Sequence, residues 1–374
     1  MLIGIEATRA NKLAKTGVEW YAWHIIQELK ALTAGDGNSW ILYSNKPLTG
    51  GLEKLPENWY EVRLKWPLPF GWTQIPFSYE MQRHKIDVLW MPGSTLPRIF
   101  PPKTVVTVHD IGFHRLPRLY KKRQIHIHER AMKEIAKKAA RIISVSEFSG
   151  REMSEAYGID SSKIAIAYNG IDHEIYKLHK DGDAVEERLR RYRVNQPYFL
   201  AIGRLEAKKN IAMLVKAFTQ FKVRRGVGDP FKLVLIGPQG FGYEDIKHEI
   251  ANSSVKSDIL ELGYVPEADK PYLIAGAYAF IHPAFYEGFG IPPIEAMACG
   301  TPVLSSNAAS LPEILGEAAL YFSPEEPEQL IGMMDKVAQE PETRTTLSAA
   351  GLEMAKRYTW KSAAEKILPV LTKW

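Results

Sequence analysis

The stretch His282–Val303, HPAFYEGFGIPPIEAMACGTPV, contains a strand end, a loop, a short helix and the start of another strand. The apolar run that leads into it is typical of a buried strand. Two consecutive prolines predict the first turn of a helix, and Gly300 predicts its end. The spacing therefore predicts Glu287 on the strand-to-helix loop. It predicts Glu295 in the first helical turn, where free N–H groups and the helix dipole favour an anion.

The same alternation of elements runs along the whole chain. Short apolar runs alternate with amphipathic helical segments, which favours parallel sheets covered by helices on both faces. The predicted strands are MLIGIEA, SWILYSN, DVLWMPG, TVVTVHD and RIISVSE in the first half, and YFLAIGR, KLVLIGP, AFIHPAF and TPVLSSN in the second. The polar span Lys177–Pro197 interrupts this pattern, and we interpret it as the connection between two doubly wound α/β domains.

We expect an N-terminal domain over residues 1–176 and a C-terminal domain over residues 177–358 that includes the polar span. The last segment, TWKSAAEKILPVLTKW (359–374), predicts an amphipathic helix with Thr359 as its N-cap. We expect this helix to pack back on the N-terminal domain. Its predicted buried face is Trp360, Ala363, Ala364, Ile367, Leu371 and Trp374.

Length and composition limit the class of protein. A chain of 374 residues with 45% hydrophobic and 24% charged residues is typical of a globular protein with two or three domains. The N-terminus reaches Glu6 after a short apolar run, which predicts a first strand and not a signal peptide. The longest apolar stretch is shorter than the about 20 residues that a spanning helix needs. These features predict a cytoplasmic protein.

The single cysteine, Cys299, excludes an intrachain disulfide. It lies on an apolar helix with no neighbouring base, and we interpret it as a small buried hydrophobe and not as a catalytic thiol.

The net charge of +5 is compatible with nucleic acid, anionic lipid or a phosphorylated substrate. No nucleic-acid recognition module is present in the sequence, so we expect no nucleic-acid partner. The segment Arg118–Arg141 is strongly basic, with Glu129 and Glu134 as its only acids. Its charge fits either a solvated helix face or contact with an anionic membrane surface.

Candidate ligand-binding residues follow the predicted strands. In open α/β sheets the ligand binds outside the carboxyl ends of the strands. In the first half, such ends are followed by Gly17, His109 and Asp110, and in the second half by Arg204, Lys209 and Glu287. We expect the two halves to offer facing edges of one cleft.

These residue types fit a nucleotide-sugar. Arg204 and Lys209 would supply positive charge to a diphosphate. A carboxylate such as Glu295 can accept two hydrogen bonds from a ribose diol, and Glu287 would reach hydroxyls beyond the phosphates. Alone, Arg204 or Lys209 would more often be a solvated charge, Glu295 fits a helix N-terminal acid, and His109 fits a core or capping histidine. Further phosphate donors would be the backbone N–H groups of Gly288, Phe289, Gly290 and Ile291.

The chain resembles the group 1 glycosyltransferases, which are retaining enzymes of the GT-B fold, nearly from end to end. The family's pattern of two glutamates separated by seven residues is matched by Glu287 and Glu295. Other resembling stretches are TGVEWYA, VHDIGFHRLPRLY, VSEFSGREM, AYNGID, AIGRLEAKKN, the segment GYVPEADKPYL onward to ALYFSP, and YTWKSAAEKIL.

The resemblance implies two Rossmann-like domains facing across a cleft. It implies that Arg204 and Lys209 bind the donor diphosphate, that Glu287 contacts the sugar and that Glu295 contacts the ribose. His109 would contact the sugar, Gly17 the phosphate region, and the backbone near Val265 the base. The family often has two glycines where this chain has Thr16 and Gly17. No metal or cofactor is expected, because fixed cations can neutralise the leaving diphosphate.

The implied activity is retaining hexosyl transfer from a nucleotide-diphosphate donor to a saccharide or lipid-linked acceptor in cell-surface polysaccharide synthesis. The stretches TGVEWYA and VHDIGFHRLP resemble bacterial mannosyltransferases and favour GDP-mannose, followed by UDP-sugars. We expect a cytoplasmic enzyme that associates peripherally with the inner membrane surface.

Two other functions fit parts of the sequence. Paired carboxylates suggest a glycoside hydrolase, which has no need of Arg204 and Lys209. A homologue without activity that scaffolds a partner is the other alternative.

Two possible metal sites also arise from the residue spacing. Asp181 and Asp183 have the spacing of a Mn²⁺ site but lie in a polar connection. His126 and His128 fall on different faces of a predicted helix, which makes a poor metal site.

Overall fold

The computed structural model describes residues 1–179 and 181–374; Lys180, in the predicted polar connection, lies outside the described residues. The chain divides into two compact units. The first consists of Met1–Arg115, Lys122–Gly170 and Thr359–Trp374, and the second of Leu116–Lys121 and Ile171–Tyr358.

The first unit is built on a seven-stranded parallel sheet. Its strands are β1 (Leu2–Glu6), β2 (Ser39–Ser44), β3 (Trp59–Arg63), β4 (Val88–Met91), β5 (Lys103–Val108), β6 (Arg141–Ser144) and β7 (Ile164–Ile166). Their order is β3-β2-β1-β4-β5-β6-β7, and every pairing is parallel. β4 is buried throughout, because helices cover both faces of such a sheet and its central strands are apolar on both sides.

Among the residues that the structure describes, five α-helices precede Gly170 and accompany these strands. They are α1 (Gly17–Thr33), α2 (Pro76–Arg83), α3 (Gly112–Arg115), α4 (Lys122–Lys138) and α5 (Glu147–Tyr157).

The second unit is built on a six-stranded parallel sheet. Its strands are β8 (Tyr198–Ile202), β9 (Lys232–Ile236), β10 (Ile259–Gly263), β11 (Ala279–His282), β12 (Val303–Ser306) and β13 (Ala319–Phe322). The strand order is β10-β9-β8-β11-β12-β13. Its core includes Phe199, Phe218, Phe221, Leu233 and Ile281. Both sheets have the doubly wound order that the sequence predicts.

The helices of the second unit are α6 (Gly182–Arg191), α7 (Ile211–Arg225), α8 (Tyr243–Asn252), α9 (Lys270–Ala275), α10 (Ile291–Ala298), α11 (Leu311–Leu315), α12 (Pro327–Gln339) and α13 (Pro341–Ala355).

The polar span Lys177–Pro197 is more than a connection, because it contains α6. The carboxylate of Asp181 caps this helix by accepting hydrogen bonds from the backbone of Asp183 and Ala184, both at 3.1 Å. Val185 and Leu189 are its buried residues. Because the span is rich in charged residues, the sequence pattern did not indicate a helix there. The two apolar residues pack α6 against the second unit.

The C-terminal helix, α14 (Trp360–Thr372), belongs to the first unit. Thr359 caps it, with its hydroxyl accepting a hydrogen bond from the Ser362 N–H at 3.0 Å. The Trp360 ring stacks on His24 of α1, with ring centroids 4.7 Å apart. The predicted burial of Trp374 is wrong: the helix ends at Thr372, and the Trp374 ring is 40% exposed.

Candidate active site

The order of the second sheet reverses between β8 and β11, which lie side by side. Arg204 follows β8, and Glu287 lies on the loop that follows β11. Lys209 ends a short 3₁₀ turn, Ala207–Lys209, after the same β8 end. Because the carboxyl ends of parallel strands share one edge, these predicted site residues lie where open α/β sheets bind their ligands.

A buried ion pair lies at the centre of this site. Glu287 Oε1 accepts hydrogen bonds from the Lys209 ammonium and from His282 Nε2, the second at 3.0 Å. Burial by itself would raise the pKa of Glu287. The Lys209 charge and the His282 hydrogen bond outweigh burial, so the pKa of Glu287 lies well below its usual range. Burial lowers the pKa of His282, so the cluster holds an ionised carboxylate, an ammonium and a neutral imidazole at neutral pH.

The loop that carries Glu287 is held from three directions. The Phe285 N–H donates to the Lys208 carbonyl at 3.0 Å. The Ser306 hydroxyl donates to the Ala284 carbonyl at 2.6 Å, and the Ser310 hydroxyl donates to the Glu287 carbonyl at 2.9 Å. The loop is therefore fixed to β12 and to the 3₁₀ turn, which positions the carboxylate in advance of any ligand.

Gly290 ends this loop with a φ of 90°, a left-handed conformation that glycine adopts without strain. A Cβ at this position would lie 2.7 Å from the Leu311 side chain. The predicted donor segment Gly288–Ile291 thus enters α10 through a turn that requires glycine.

Arg204 presents an exposed guanidinium on the loop after β8 that also leads to Lys209. Its side chain is 51% exposed, and its Nε lies 4.0 Å from the Glu206 carboxylate. The end of the neighbouring strand β9 packs closely against this loop and requires glycine, because a Cβ on Gly237 would lie 1.9 Å from the Gly203 carbonyl oxygen. The loop after β8 thus carries one accessible cation, Arg204, and one that is already paired, Lys209.

Glu295 does not lie in the first helical turn, and that prediction is wrong. α10 begins at Ile291, so Glu295 is its fifth residue. The prolines therefore occupy the second and third positions of the helix, and the carboxylate lies one turn further from the N-terminus than the prediction placed it.

Glu295 belongs to a second cluster, which the sequence did not indicate. The Tyr176 hydroxyl donates to Glu267 and also lies within hydrogen-bonding reach of Glu295. Lys270 Nζ pairs with Glu267 Oε2 at 2.7 Å. Burial, reinforced by the charge of Glu267, raises the pKa of Glu295 to about 8. The two predicted glutamates thus differ in protonation at neutral pH.

Two other predicted positions are buried. Val265, at the predicted base contact, is 1% exposed. Cys299 is buried as predicted, and burial together with the Glu295 charge raises the pKa of its thiol. A thiol with a raised pKa is a poor nucleophile.

In the first unit, His109 follows β5. Its Nε2 lies 3.0 Å from the Pro92 carbonyl oxygen, which can only accept, so Nε2 carries the proton. Its ring meets the Tyr21 ring edge to face at 4.7 Å. Burial lowers the pKa of His109, so the imidazole is neutral and presents the Nδ1 lone pair as a hydrogen-bond acceptor.

Gly17 begins α1, and a Cβ at this position would meet nothing within 4 Å. The helix start is capped by Glu19, which accepts a hydrogen bond from the Thr16 N–H at 3.1 Å and pairs with Lys12 Nζ at 2.7 Å. Burial opposes ionisation, but these partners lower the pKa of Glu19 to about 2. The predicted phosphate contact at Gly17 therefore shares its helix start with a carboxylate.

The residues of the two possible metal sites cap a helix or lie exposed on one. Asp181 is the N-cap of α6, and both His126 and His128 are exposed on α4. Within residues 1–179 and 181–374, no group of three or more His, Cys, Asp or Glu side chains could hold a metal ion.

Four residues of the two clusters were not predicted from the sequence: His282, Tyr176, Glu267 and Lys270. His282 had a usable signal, since it is a polar residue at the end of a buried strand. Tyr176 and Glu267 are 91 positions apart in sequence, and nothing local to either indicates their contact.

Solved structures share this architecture. The Anabaena protein HepE in complex with UDP and glucose matches with a TM-score of 0.75 at 18% identity, each chain covered completely. WaaG, a glycosyltransferase involved in lipopolysaccharide biosynthesis, matches with a TM-score of 0.73 at 16% identity, again over the whole of both chains. The fold is therefore GT-B, the two-unit architecture of a large class of glycosyltransferases.

The chain belongs to the group 1 glycosyltransferase family. The O-antigen chain mannosyltransferase B of Escherichia coli is 31% identical over 292 residues, which cover 78% of this chain and 75% of that protein. The family model described as glycosyl transferases group 1 matches residues 186–354, and the model described as glycosyltransferase family 4 matches residues 16–175.

A further relative differs in length. The serotype-specific mannosyltransferase WbdA of Escherichia coli is 25% identical over 280 residues, which cover 73% of this chain but 34% of that protein.

Proposed function

We propose that this glycosyltransferase moves a hexose, with retention of configuration, from a nucleotide-diphosphate donor to a saccharide or lipid-linked acceptor in cell-surface polysaccharide synthesis. The observation that carries the proposal is the Lys209–Glu287–His282 cluster, which lies with the exposed Arg204 on the strand ends where the strand order reverses. GDP-mannose is the favoured donor, because relatives named as O-antigen mannosyltransferases support mannose, and UDP-sugars come next.

Arg204 and Lys209 are proposed to bind the donor diphosphate. The exposed guanidinium can form a bidentate contact, and the Lys209 ammonium can bridge the Glu287 carboxylate and a phosphate oxygen. Backbone N–H groups of Gly288–Ile291 would add donors. Negative charge that develops on the leaving diphosphate would meet fixed positive charge, so transfer requires no metal ion.

Glu287 is proposed to orient the donated sugar. It is ionised, buried and held by a fixed loop, so it can accept hydrogen bonds from sugar hydroxyls and stabilise a developing positive charge at the anomeric centre. Glu295 is proposed to accept hydrogen bonds from the ribose hydroxyls, with the backbone at Val265 contacting the base.

His109 and Gly17 are proposed to contribute from the first unit. The Nδ1 lone pair of His109 suits a sugar hydroxyl that donates a hydrogen bond. Gly17 is proposed to serve the phosphate region, since no side chain occupies the space beside its α-carbon. Neither residue is required as a catalytic base in a mechanism in which the departing phosphate accepts the acceptor's proton.

Membrane association is proposed to accompany this activity, on the cytoplasmic face of the inner membrane. Within the basic segment Arg118–Arg141, α4 buries Met132 and Ile135 and exposes Arg123, Arg130 and Lys137 on the opposite side. The acid Glu129 is engaged by His114 at 2.6 Å. In the part of the chain that the structure describes, no helix is long and apolar enough to cross a membrane.

The hydrolase alternative has one supporting feature. The pKa of Glu287 is lowered and that of Glu295 is raised to about 8, and such a split can supply a nucleophile and an acid. Against it stand the paired Lys209, which suits a diphosphate, and membership of a transferase family.

One assay separates the three functions. The protein is incubated with GDP-mannose or a UDP-sugar in EDTA, with and without a membrane extract that contains lipid-linked saccharides. We expect nucleoside diphosphate release that depends on the extract, and its loss in Glu287→Ala. Free sugar at the same rate without an acceptor would indicate a hydrolase, and no turnover with any donor would indicate a scaffold.

A further inference from the structure

Residues 66–72, WPLPFGW, form an exposed loop without a single charged side chain. We call this segment the apolar loop. It follows the edge strand β3 in the first unit, and its side chains Leu68 and Phe70 are 47% and 70% exposed. Two large apolar side chains this exposed on one short segment indicate a surface that meets something other than water.

The apolar loop is built to hold these side chains outward. The Trp66 indole N–H donates to the Phe70 carbonyl at 2.7 Å, which closes the loop on itself. The Trp72 indole N–H donates to the Leu64 carbonyl at 2.9 Å, and its ring stacks on Phe77 at 4.9 Å. The Trp72 end is therefore anchored, and the exposed tip cannot withdraw into the core without breaking these contacts.

The exposed apolar surface continues beyond the loop. Ile75, Tyr79 and Ile99 are 51%, 61% and 41% exposed. Their segments are joined, because Gln74 Nε2 donates to the Leu96 carbonyl and the Arg98 N–H donates to the Ser78 hydroxyl, both at 2.8 Å. The loop tip and these three side chains thus belong to one connected region of the first unit.

Positive charge accompanies this region. Its exposed cations are Arg63, Lys65, Arg83, Lys85 and Arg98. The nearby acids have partners: Glu61 accepts a hydrogen bond from the Leu48 N–H at 3.1 Å, and Glu80 pairs with His84 at 3.0 Å. An apolar tip accompanied by cations is complementary to a partner with an apolar interior beneath a negatively charged outer layer.

We propose that the apolar loop inserts into the headgroup region of an anionic bilayer. Phe70 and Leu68 would enter the acyl boundary, the indole of Trp66 would lie at headgroup depth, and Lys65 and Arg98 would meet lipid phosphates. A second copy of this chain is a poorer occupant, because a two-fold contact would bring the same cations face to face. The inference rests on the membrane association proposed above. It adds apolar insertion, which salt does not screen, to the electrostatic attraction of the basic segment.

The test is cosedimentation of the full chain with phosphatidylglycerol vesicles at low and at high salt. Leu68→Ser/Phe70→Ser should lower the partition coefficient about tenfold or more at both salt concentrations, since each tenfold corresponds to about 1.4 kcal/mol of lost apolar burial. Val227→Ser is the matched control, because Val227 is a fully exposed apolar residue in the second unit and should have no effect.

Depth is tested with brominated lipids, which quench only indoles within the bilayer. Vesicle-dependent quenching should fall in Trp66→Phe. Unchanged partition of the double serine variant would overturn the proposal, and so would unchanged quenching in Trp66→Phe. A variant that changes only the self-association of the protein, measured by sedimentation, would assign the loop to a second copy and would overturn it as well.

These results are separable from the proposed activity. Transfer to a water-soluble saccharide acceptor should be equal in the wild type and in Leu68→Ser/Phe70→Ser, since neither side chain belongs to the donor site. Absence of transfer in both would contradict the proposed function and leave the vesicle result standing.

Discussion

At the scale of single residues, the ion pair between Lys209 and Glu287 dominates the candidate site. Its two groups are taken out of water by the same loop and strand ends that place them at the switch point. A buried carboxylate is tolerated only when a positive partner and hydrogen bonds compensate for lost hydration. Lys209 therefore stabilises the fold as well as serving the proposed diphosphate site.

Lys209→Met should destabilise the second unit by roughly 3–5 kcal/mol at neutral pH, because it leaves a buried carboxylate without its cation. The pKa of Glu287 is lowered in the folded state, so the pair stabilises above the ordinary glutamate range and loses this contribution as pH falls. Without Lys209, burial raises the pKa of Glu287, so the variant takes up a proton and is relieved of its buried charge before the wild type is. The difference in melting temperature between wild type and variant should thus shrink from pH 7 to pH 4. Lys216→Met, which removes an exposed ion pair, is the control and should change little.

A constant difference across this pH range would contradict the assignment of the pair as the main stabilising contact of Glu287.

Glu295 predicts a pH dependence of nucleotide binding. Its pKa of about 8 means that affinity for the ribose should rise from pH 6 to pH 9, as the stronger acceptor, the ionised carboxylate, becomes populated. Tyr176→Phe removes a hydrogen bond that lowers this pKa, so the midpoint of GDP binding should move upward. Glu267→Gln removes a charge that raises it, so the midpoint should move downward. Calorimetry across this range measures both.

If the pH midpoint of GDP binding moved in the same direction in Tyr176→Phe and Glu267→Gln, or moved in neither, the proposed ribose contact of Glu295 would be contradicted.

Among the secondary-structure elements, the sequence predicted the interior strands of both sheets and missed the edge strands. Interior strands such as β4 and β8 are buried throughout, and their apolar runs are visible in the sequence. The strands that were not predicted, β3, β7, β10 and β13, are the edge strands of the two sheets. β3, WYEVR, exposes three of its five residues, so its pattern resembles that of a polar loop.

The contact between Gly170 and the start of α14 gives a prediction at this scale. A Cβ on Gly170 would lie 2.1 Å from the Trp360 nitrogen, and backbone cannot move aside cheaply. Gly170→Ala should lower the free energy of unfolding by roughly 1–3 kcal/mol, the usual range for overpacking. Gly332→Ala is the control, because Gly332 lies inside α12 with open space beside it and should stabilise slightly.

Thermal unfolding of Gly170→Ala and Gly332→Ala tests whether α14 packs against Gly170. Equal melting temperatures would show that α14 is not seated against Gly170 as described.

The basic helix α4 supplies a further prediction. Arg123→Glu/Arg130→Glu/Lys137→Glu should weaken binding to anionic vesicles by roughly two decades at low salt, at about 1 kcal/mol per residue near the surface. The same charge change at Lys216, Lys247 and Lys256 is the control. Cosedimentation that falls equally in both triple variants would assign the effect to net charge alone, and unaltered binding would leave α4 as a solvated face.

At the scale of the whole molecule, the fold class followed from sequence, because two series of apolar runs separated by helices have few other solutions. The candidate residues Arg204, Lys209 and Glu287 were predictable individually, since each follows an interior strand. Two contacts were not predictable. Lys209 pairs with Glu287 across 78 positions of sequence, and Glu295 lies near Glu267, which belongs to a distant loop. Long-range packing, not local pattern, determines the protonation of the site.

We propose that this chain transfers a sugar from a nucleotide donor with retention of configuration. The most direct test is NMR of the first-formed product from GDP-mannose labelled with ¹³C at the anomeric carbon, read as the coupling between that carbon and its proton. We predict the anomeric configuration of the donor in the new glycosidic bond. An inverted configuration would contradict the account and would make His109 or Asp110 the candidate base.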